Sequence, residues 1–324
     1  MFDVLLRTGV LFETRDSDAC ISVGNRKKAN GRNVTNIYLY IFISYILTIA
    51  DYQKNNLYMI RSEIGFVVIH YGEEGLLEEC LRSIKNLGFS SDFITVINNN
   101  NNNLGFASGV NKGVCEALKN KKIKYIFILN NDISFVGRSI EPLIKCLNSP
   151  NIGIASPTEY ISKNKYLAGG IIDSNRFTAG HGLTVVNQET DIKIFDFVSG
   201  SCMLVRRDVF ENVGWFDDRF FMYYEDVDFC FRANKQGYKS ALVSSVAIKH
   251  RGSSSIDNLD KEYYLARNHL LFVEKHSPWR VKAREITRFP KTIFEHFVRH
   301  KKGKAALEGI LDYFIRSFGI RKKL

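Results

Sequence analysis

Several sequence patterns that assign a function directly are absent from this chain. The six cysteines are scattered and form no Cys-x-x-Cys pair, which argues against zinc or disulfide frameworks and favours free thiols in a reducing compartment. Neither a GxGxxG fingerprint nor a P-loop occurs, so dinucleotide and ATP binding lose support. No nucleic-acid-binding motif is found, and we expect no nucleic-acid partner.

A long hydrophobic run is also missing. The longest apolar stretch, residues 37–50, has 14 residues, fewer than the roughly 18 that a transmembrane helix needs. A long polar stretch precedes it and no clear cleavage site follows, so it is not laid out as a signal peptide. We rank a peripheral or packed helix first, translated upstream sequence that does not fold second, and a membrane span third.

What the chain does have is size, apolar content and an uneven positive charge. Its 324 residues, 45% of them hydrophobic, suffice for one large domain with appendages. The formal net charge is +11, and the segment from residue 277 to the end holds thirteen Lys or Arg against four Asp or Glu. Such a segment suits an anionic membrane surface, although a solvated helix face is the simpler interpretation. Within it, residues 291–318 follow a helical pattern. Packing on the domain is its default meaning, and an interfacial membrane helix is the alternative.

The middle of the chain opens with alternating strand and helix patterns. Residues 64–71 form a continuous apolar run typical of a buried parallel strand, 76–87 an amphipathic helix, and 93–97 a second strand. A further buried strand at 124–129 delivers Asn130, Asn131 and Asp132 at its carboxyl end. This order predicts an α/β fold, in which ligands bind at the carboxyl ends of the strands.

Three carboxylates stand together after an aromatic run. Glu225, Asp226 and Asp228 begin a helical pattern that ends near Gly237, and a strand pattern from 240 to 248 leads to His250. Acidic residues are common in first helical turns, and Asp228 with Arg232 makes an ordinary i,i+4 pair. By itself the cluster is therefore more consistent with an ordinary helix start than with a catalytic site.

The ordered set of motifs resembles the family 2 glycosyltransferases of the GT-A fold, in particular the bacterial rhamnosyltransferase and galactofuranosyltransferase-like branch. The resemblance spans about residues 64–275 and rests on matches in family order: Ser199-Gly200-Ser201, Arg206-Arg207, Gly214 to Asp218, Glu225 to Asp228, Arg232, Gly237-Tyr238, His250, Ser253 and the segment Glu262 to Asn268.

The resemblance implies a GT-A domain at 61–255, with a Rossmann-like mixed sheet, between an appendage at 1–60 and a basic helical extension at 256–324. The implied activity is inverting transfer of a sugar from a nucleotide-diphosphate donor to an acceptor hydroxyl. Asp226 is then the general base, and Asp132 with His250 binds Mg²⁺ or Mn²⁺. A turn role is the plain alternative for Asp132.

The resemblance also assigns residues around the substrates. Glu225, Asp217 and Arg267 are expected to contact or support the acceptor side. Arg267 could reach a phosphate, or pair only with a carboxylate of the core. Asn98 stands where the family usually has an Asp that contacts the nucleotide base, which puts nucleotide specificity in doubt. The expected donor-binding residues are Tyr71, Asn98, Asn103, Gly105, Asn111 and Asn130.

The partners implied are a dTDP- or UDP-sugar and a lipid-linked glycan acceptor in surface polysaccharide synthesis. The protein is then cytoplasmic, with peripheral contact at the inner face of the cell membrane. Two alternatives stay open. A sugar nucleotidyltransferase would need a Gly-rich basic loop near the first strand, where the chain has His70-Tyr71-Gly72. A non-catalytic relative that binds nucleotide sugars is favoured by Asn98 and the short loop after it.

Overall fold

The fold was analysed in a computed structural model that describes residues 61–137, 139–162, 165–184, 192–251 and 258–322. The predictions for residues 1–60 and for Ser253 lie outside these ranges. Leu57–Leu324 forms one compact unit. The strands are β1 Ile64–His70, β2 Ile94–Asn98, β3 Tyr125–Asn130, β4 Ile133–Phe135, β5 Ile152–Ser162, β6 Lys165–Ile172, β7 Ala179–Thr184, β8 Ile192–Phe195, β9 Cys202–Arg206 and β10 Lys239–His250. The helices are α1 Glu74–Asn86, α2 Gly105–Ala117, α3 Glu141–Leu147, α4 Arg207–Val213, α5 Glu225–Lys235, α6 Asn258–His276, α7 Trp279–Val298 and α8 His300–Phe314.

A mixed ten-stranded sheet organises the domain, in the order β2-β1-β3-β9-β5-β10-β4. β1 runs parallel to β2 and to β3, whereas β9 is antiparallel to both β3 and β5. β6 and β7 extend the sheet from β5, and β8 pairs with β10. The predicted α/β class, with its mixed sheet and helical C-terminal part, is therefore confirmed.

The continuous apolar pattern of β1 follows from burial on both of its faces. Successive side chains of a strand point to opposite sides, so Val67 and Ile69 join one core cluster while Phe66 and Val68 join the other. Helix α2 covers the first side and helix α1 the second, through Val110 and Ile84 among others. A strand covered on both faces has no solvent side for polar residues.

The C-terminal part differs from the single helical pattern predicted for residues 291–318. Helices α7 and α8 are separated at Arg299, and His300 has a left-handed φ of 54°. Gly303 lies so close to the preceding helix that an added Cβ would stand 1.6 Å from the carbonyl oxygen of His296. The chain turns sharply here because a glycine permits this approach. In the described part of the chain, no helix has both the length and the apolar character needed to cross a bilayer.

Candidate active site

The carboxyl ends of β1, β2 and β3 meet at one edge of the sheet because these strands are parallel. Asn98 and Asn130 end β2 and β3, and Asp132 follows two residues after the end of β3. β10 arrives at the same place, since its last residue, His250, pairs with Ile133 of β4. The sheet therefore brings Asp132 and His250 together, although 118 positions separate them in the sequence.

Asp132 and His250 form a partly buried cluster with Glu159, a residue that the sequence analysis did not identify. Nε2 of His250 lies 3.3 Å from Oδ2 of Asp132, and Nδ1 lies 3.1 Å from Oε1 of Glu159. Burial lowers the pKa of His250, but hydrogen bonds to Asp132 and Glu159 outweigh it and raise the pKa to about 10. Glu159 thus orients the imidazole of His250 so that its Nε2 faces Asp132.

This cluster has a donor set that fits a divalent cation. One carboxylate and one imidazole nitrogen are ordinary ligands for Mn²⁺ or Mg²⁺ when a substrate supplies further oxygens. With a cation in place of the Nε2 proton, Glu159 would accept from Nδ1–H of His250 and hold the ring, as carboxylates commonly do for metal-binding imidazoles. Within the described ranges, no group of three or more His, Cys, Asp or Glu side chains is arranged to hold a metal without such help.

The second part of the site is the first turn of α5. The carboxylate of Asp226 is half-buried, its Oδ2 accepts from the backbone N–H of Gly200 at 2.9 Å, and its Oδ1 accepts from that of Val227 at 2.8 Å. Gly200 permits this approach because an added Cβ would lie 3.2 Å from Cβ of Asp226. Next along this loop, the carbonyl of Ser201 accepts from the N–H of Asn130 at 2.9 Å. The loop before β9 thereby connects Asp226 to the strand edge.

The two neighbouring acidic residues differ from Asp226 in their surroundings. Glu225 is only 5% exposed, Oε2 has no hydrogen-bond partner, and burial and then the charge of Asp226 raise the pKa of Glu225 well above its usual range. Asp228 is fully buried and is bound by Arg232 at 2.8 Å, His276 at 2.7 Å and Lys275 at 2.5 Å. The predicted pair of Asp228 with Arg232 is confirmed. Of the three acidic residues, only Asp226 is not fully enclosed by the protein.

An unusual backbone delivers α5 to this position. Phe221, Tyr223 and Tyr224 all have left-handed φ values, of 62°, 64° and 72°. Non-glycine residues rarely adopt this conformation, and it persists only where surrounding contacts enforce it. Here Asn268 of α6 supplies such contacts, since its Nδ2 lies within hydrogen-bond distance of the carbonyls of Phe220, Met222 and Tyr223, at 2.7–2.8 Å. The strained segment is thus held from α6.

Arg267, also on α6, binds the backbone of the segment before α5 and does not face a ligand-binding surface. Its side chain is fully buried, and its guanidinium donates to the carbonyls of Phe220 at 2.9 Å and Gly319 at 2.7 Å. The rings of Tyr263 and Tyr264 pack against it. The expectation that Arg267 could reach a phosphate finds no support in this environment, because it is enclosed by backbone carbonyls and rings.

Two further predicted residues also make contacts within the protein. The amide of Asn111 donates to the carbonyl of Phe216 at 2.9 Å and accepts from its N–H at 3.0 Å, and it also bonds Asp218. Asp217 pairs with Arg219 at 2.7 Å and Lys275 at 2.6 Å. Burial raises the pKa of Asp217, but these partners hold it well below its usual range. Asn111 and Asp217 therefore tie the loop before α5 to α2 and α6.

Gly105 was expected to let a ligand approach the backbone, but a protein group occupies that side. An added Cβ would lie 2.4 Å from the ring of Phe221, and the carbonyl of Phe221 accepts from the N–H of Phe106 at 2.7 Å. Asn103 accepts from the N–H of Gly105 itself at 2.9 Å. The first turn of α2 is therefore capped internally.

The other predicted donor-side residues lie at the open edge of the sheet. Tyr71 is 39% exposed after β1, and the side chain of Asn98 is exposed and accepts from the N–H of Asn100 at 2.9 Å. The amide of Asn100 bonds both the N–H of Gly72 at 2.7 Å and its carbonyl at 3.2 Å. The asparagine-rich segment is thus an ordered loop that connects the ends of β1 and β2.

The sequence analysis missed two buried polar residues of this edge. His70 has no exposed surface, and its Nδ1 accepts from Nδ2 of Asn131 at 3.0 Å. Asn131 is 5% exposed and precedes Asp132 directly. A histidine that ends an otherwise apolar strand was the available signal, because a buried polar side chain needs a partner.

Comparison with known proteins identifies the relationship. Residues 125–276 match the family described as glycosyl transferase family group 2. The chain is 29% identical over 45% of its length to a low-salt glycan biosynthesis hexosyltransferase of Haloferax volcanii, covering 48% of that protein. It is 41% identical over 26% of its length to an N-acetylglucosaminyl-diphospho-decaprenol L-rhamnosyltransferase of Mycobacterium tuberculosis, covering 28% of it. A dTDP-rhamnosyl transferase of Shigella flexneri is 26% identical over 57% of this chain, with 65% of its own length covered.

The chain thus spans about half or less of the first two relatives. The matched region contains Asp132, Asp226, His250 and the supporting helix α6. The resemblance to the family 2 glycosyltransferases, including the rhamnosyltransferase-like branch, is confirmed by these matches. The mixed sheet together with the family match confirms the predicted GT-A type of fold.

Proposed function

We propose that this relative of the family 2 glycosyltransferases is an inverting glycosyltransferase, which moves a sugar from a nucleotide-diphosphate donor to an acceptor hydroxyl. The observation that carries the proposal is the orientation of Asp226, a partly exposed residue at the start of α5. Its carboxylate is held by two backbone N–H groups and linked through the loop at Gly200 to the strand edge with Asp132 and His250.

In this proposal Asp226 accepts the proton of the acceptor hydroxyl as the hydroxyl oxygen attacks the anomeric carbon. A carboxylate can accept about four hydrogen bonds, so two backbone donors fix its orientation and leave capacity for a substrate. General base catalysis of this kind typically contributes about 10²–10⁴-fold. Neither neighbour suits this task as well, because Asp228 is enclosed by Arg232, Lys275 and His276, and Glu225 is buried with a raised pKa.

Asp132 and His250 are the residues that would hold Mg²⁺ or Mn²⁺, and glycosyltransferases of the GT-A fold commonly use such a cation. The cation, when bound, offsets the negative charge of the departing diphosphate. Glu159 orients the imidazole so that Nε2 faces Asp132. The donor is placed at this edge, with its base toward the exposed Tyr71 and Asn98.

The relatives favour a dTDP- or UDP-sugar as the donor and a lipid-linked glycan as the acceptor. The mycobacterial relative is named for a diphospho-decaprenol acceptor and the Shigella relative for dTDP-rhamnose. The proposed role is therefore a step of surface polysaccharide assembly at the cytoplasmic face of the cell membrane.

The test is a screen of dTDP- and UDP-sugars with Mn²⁺ or Mg²⁺ and simple acceptors. We expect one donor to be consumed and a product of inverted anomeric configuration to be seen by NMR. The reaction should stop in EDTA and in Asp132→Ala, and re-added metal should restore it only for the unmodified protein. Full activity in chelator would remove the metal from the proposal. Donor binding without turnover of any donor would favour a non-catalytic relative.

A further inference from the structure

Helix α7 carries large apolar side chains on its solvent side. Trp279 is 73% exposed, Ile286 73%, Phe294 67% and Phe297 76%. Burial of a large aromatic or aliphatic side chain is favourable, so four of them exposed to water on one helix are a substantial unfavourable surface. A contiguous apolar patch of this kind marks an interaction site.

The side chains form one stripe along the helix. At 100° per residue, Trp279, Ile286 and Phe297 lie within about 20° of one direction, and Phe294 about 60° from it. Val281, on the far side of α7, is only 6% exposed and joins the core. The ring of Phe289, beside the stripe, contacts that of Phe314 in α8 at 5.4 Å, and Phe314 is itself 58% exposed. The helix thus packs on the domain by one side and presents the stripe outward.

Basic residues flank this stripe. Arg280, Arg284 and Lys291 lie at about 100°, 140° and 120° from Trp279, along one edge of the stripe. Three more lysines, Lys301, Lys302 and Lys304, follow in the first part of α8. Over residues 277–324 there are thirteen Lys or Arg but only four Asp or Glu. The apolar stripe therefore lies within a positively charged surface.

We propose that this face of α7, defined by Trp279, Ile286, Phe294 and Phe297 with the basic flank, docks on an anionic lipid surface. An interfacial helix lies parallel to the bilayer with its apolar face below the headgroups and its cationic residues among the phosphates. Tryptophan favours this boundary because its ring is apolar and its N–H is polar. A second copy of the chain would bring equal positive charges together and is disfavoured. The docking does not depend on the proposed reaction and requires neither donor nor metal.

Trp279 allows a direct test, because the full chain has only two tryptophans. Trp215→Phe leaves Trp279 as the single reporter. We expect its emission to shift to shorter wavelength with vesicles that contain phosphatidylglycerol, and to be quenched when the lipid acyl chains carry bromine. The protein should co-float with these vesicles at low salt, and binding should weaken as salt is added.

Two sets of substitutions separate the apolar and electrostatic parts. Ile286→Asp with Phe297→Asp should lower partitioning onto anionic vesicles by at least about 10-fold, because two charges would enter the interface. Arg280→Gln, Arg284→Gln and Lys291→Gln together should lower it by a similar factor or more. Val136→Asp is the matched control, since Val136 is 54% exposed but lies after β4 in the α/β domain. It should bind as the unmodified chain does.

Three results would overturn the proposal. Equal binding to neutral and anionic vesicles would remove the electrostatic part. A dimer in solution that Ile286→Asp with Phe297→Asp dissociates would assign the face to a second copy. Trp279 emission that is already shifted to short wavelength without lipid, and unchanged by vesicles, would mean that another segment of this chain covers the stripe.

Discussion

Two helix N-termini stand close to the sheet edge, and they are used differently. The first turn of α2 is closed by the protein, since the carbonyl of Phe221 accepts from the N–H of Phe106 and Asn103 accepts from that of Gly105. The first turn of α5 instead holds Asp226, which accepts from the N–H of Gly200 and is partly exposed. Both helices begin with residues that the family resemblance associates with ligands. Of the two first turns, only that of α5 has a partly exposed acidic residue, Asp226.

The N-termini of α2 and α5 are connected through one backbone segment. Phe221, which caps α2, belongs to the left-handed segment that runs through Tyr223 and Tyr224 into α5. Gly105 permits Phe221 to seat against α2, and α6 holds the carbonyls of the same segment through Asn268. A motif residue such as Gly105 can therefore affect the site without contacting a ligand, because it fixes the backbone segment that positions Asp226. The predictions below test each end separately.

The largest expected effect is at the open end. Asp226→Asn keeps the shape of the side chain but removes the proton acceptor, so we expect turnover to fall by at least about 10²-fold. Donor binding should stay nearly unchanged in steady-state kinetics. The melting temperature should fall modestly in thermal unfolding, because the amide NH₂ cannot accept from one of the two backbone N–H groups that the carboxylate bonds.

Asp228→Asn is the matched control on the same helix turn. It should lose stability more than intrinsic rate, because it leaves Lys275, His276 and Arg232 facing a neutral amide in a buried position. Near-normal turnover in Asp226→Asn, together with an inactive but folded Asp228→Asn, would transfer the base role to another residue.

The closed end should respond through stability. Gly105→Ala would place a Cβ 2.4 Å from the ring and 2.7 Å from the carbonyl of Phe221, at a φ of +80° that L-residues rarely adopt. We expect a loss of about 2–4 kcal/mol in the free energy of unfolding, from overpacking and backbone strain. Denaturant titration measures it.

Gly75→Ala in α1 is the control, because no atom lies within 4 Å of the added Cβ. It should be neutral or slightly stabilising. If Gly105→Ala proved as stable as Gly75→Ala while losing donor affinity, the capped end of α2 would be a ligand site after all.

The pH dependence of stability should separate Glu225 from Asp226. Burial and the Asp226 charge raise the pKa of Glu225, so the folded state binds its proton more tightly than the unfolded state does. Stability is therefore lost as pH rises above the unfolded pKa of about 4.3. Glu225→Gln cannot ionise, and its stability relative to the unmodified protein should increase steadily from pH 5 to 8.

Thermal unfolding across that pH range measures the difference. A constant difference between the two proteins would show that Glu225 ionises as easily in the fold as in the unfolded chain. Turnover of Glu225→Gln should stay within about 10-fold of the unmodified protein, since this residue is not the proton acceptor.

A second pH-dependent effect concerns His250. Burial lowers its pKa, but the hydrogen bonds to Asp132 and Glu159 raise the pKa to about 10. The stabilisation is fully present below about pH 6.5, the unfolded value, and is lost as pH rises towards 10. In metal-free buffer, the unmodified protein should therefore lose more stability between pH 7 and 10 than His250→Gln does. Parallel pH profiles for the two proteins would contradict the ion-paired imidazole.

Sequence patterns predicted the positions of strands and helices well, because the spacing of apolar residues is a local property of the chain. The strands Ile64–His70, Ile94–Asn98 and Tyr125–Asn130 and the start of α5 at Glu225 all agree with their patterns. The pattern for residues 291–318 was less informative, because the break at Arg299 depends on the close contact of Gly303 with the helix before it. A turn that rests on a tertiary contact leaves little trace in hydrophobic spacing.

The sequence by itself determined the α/β class, the family resemblance, and the small set of polar residues at strand ends and at the start of α5. Only the tertiary structure decided what each of these residues faces. It enclosed Arg267 among carbonyls, joined Asn111 to Phe216, and oriented His250 with Glu159. The physical reason is that side-chain type and spacing fix local conformation, whereas burial, partners and accessibility arise from segments about 100 positions apart that meet only in the folded chain.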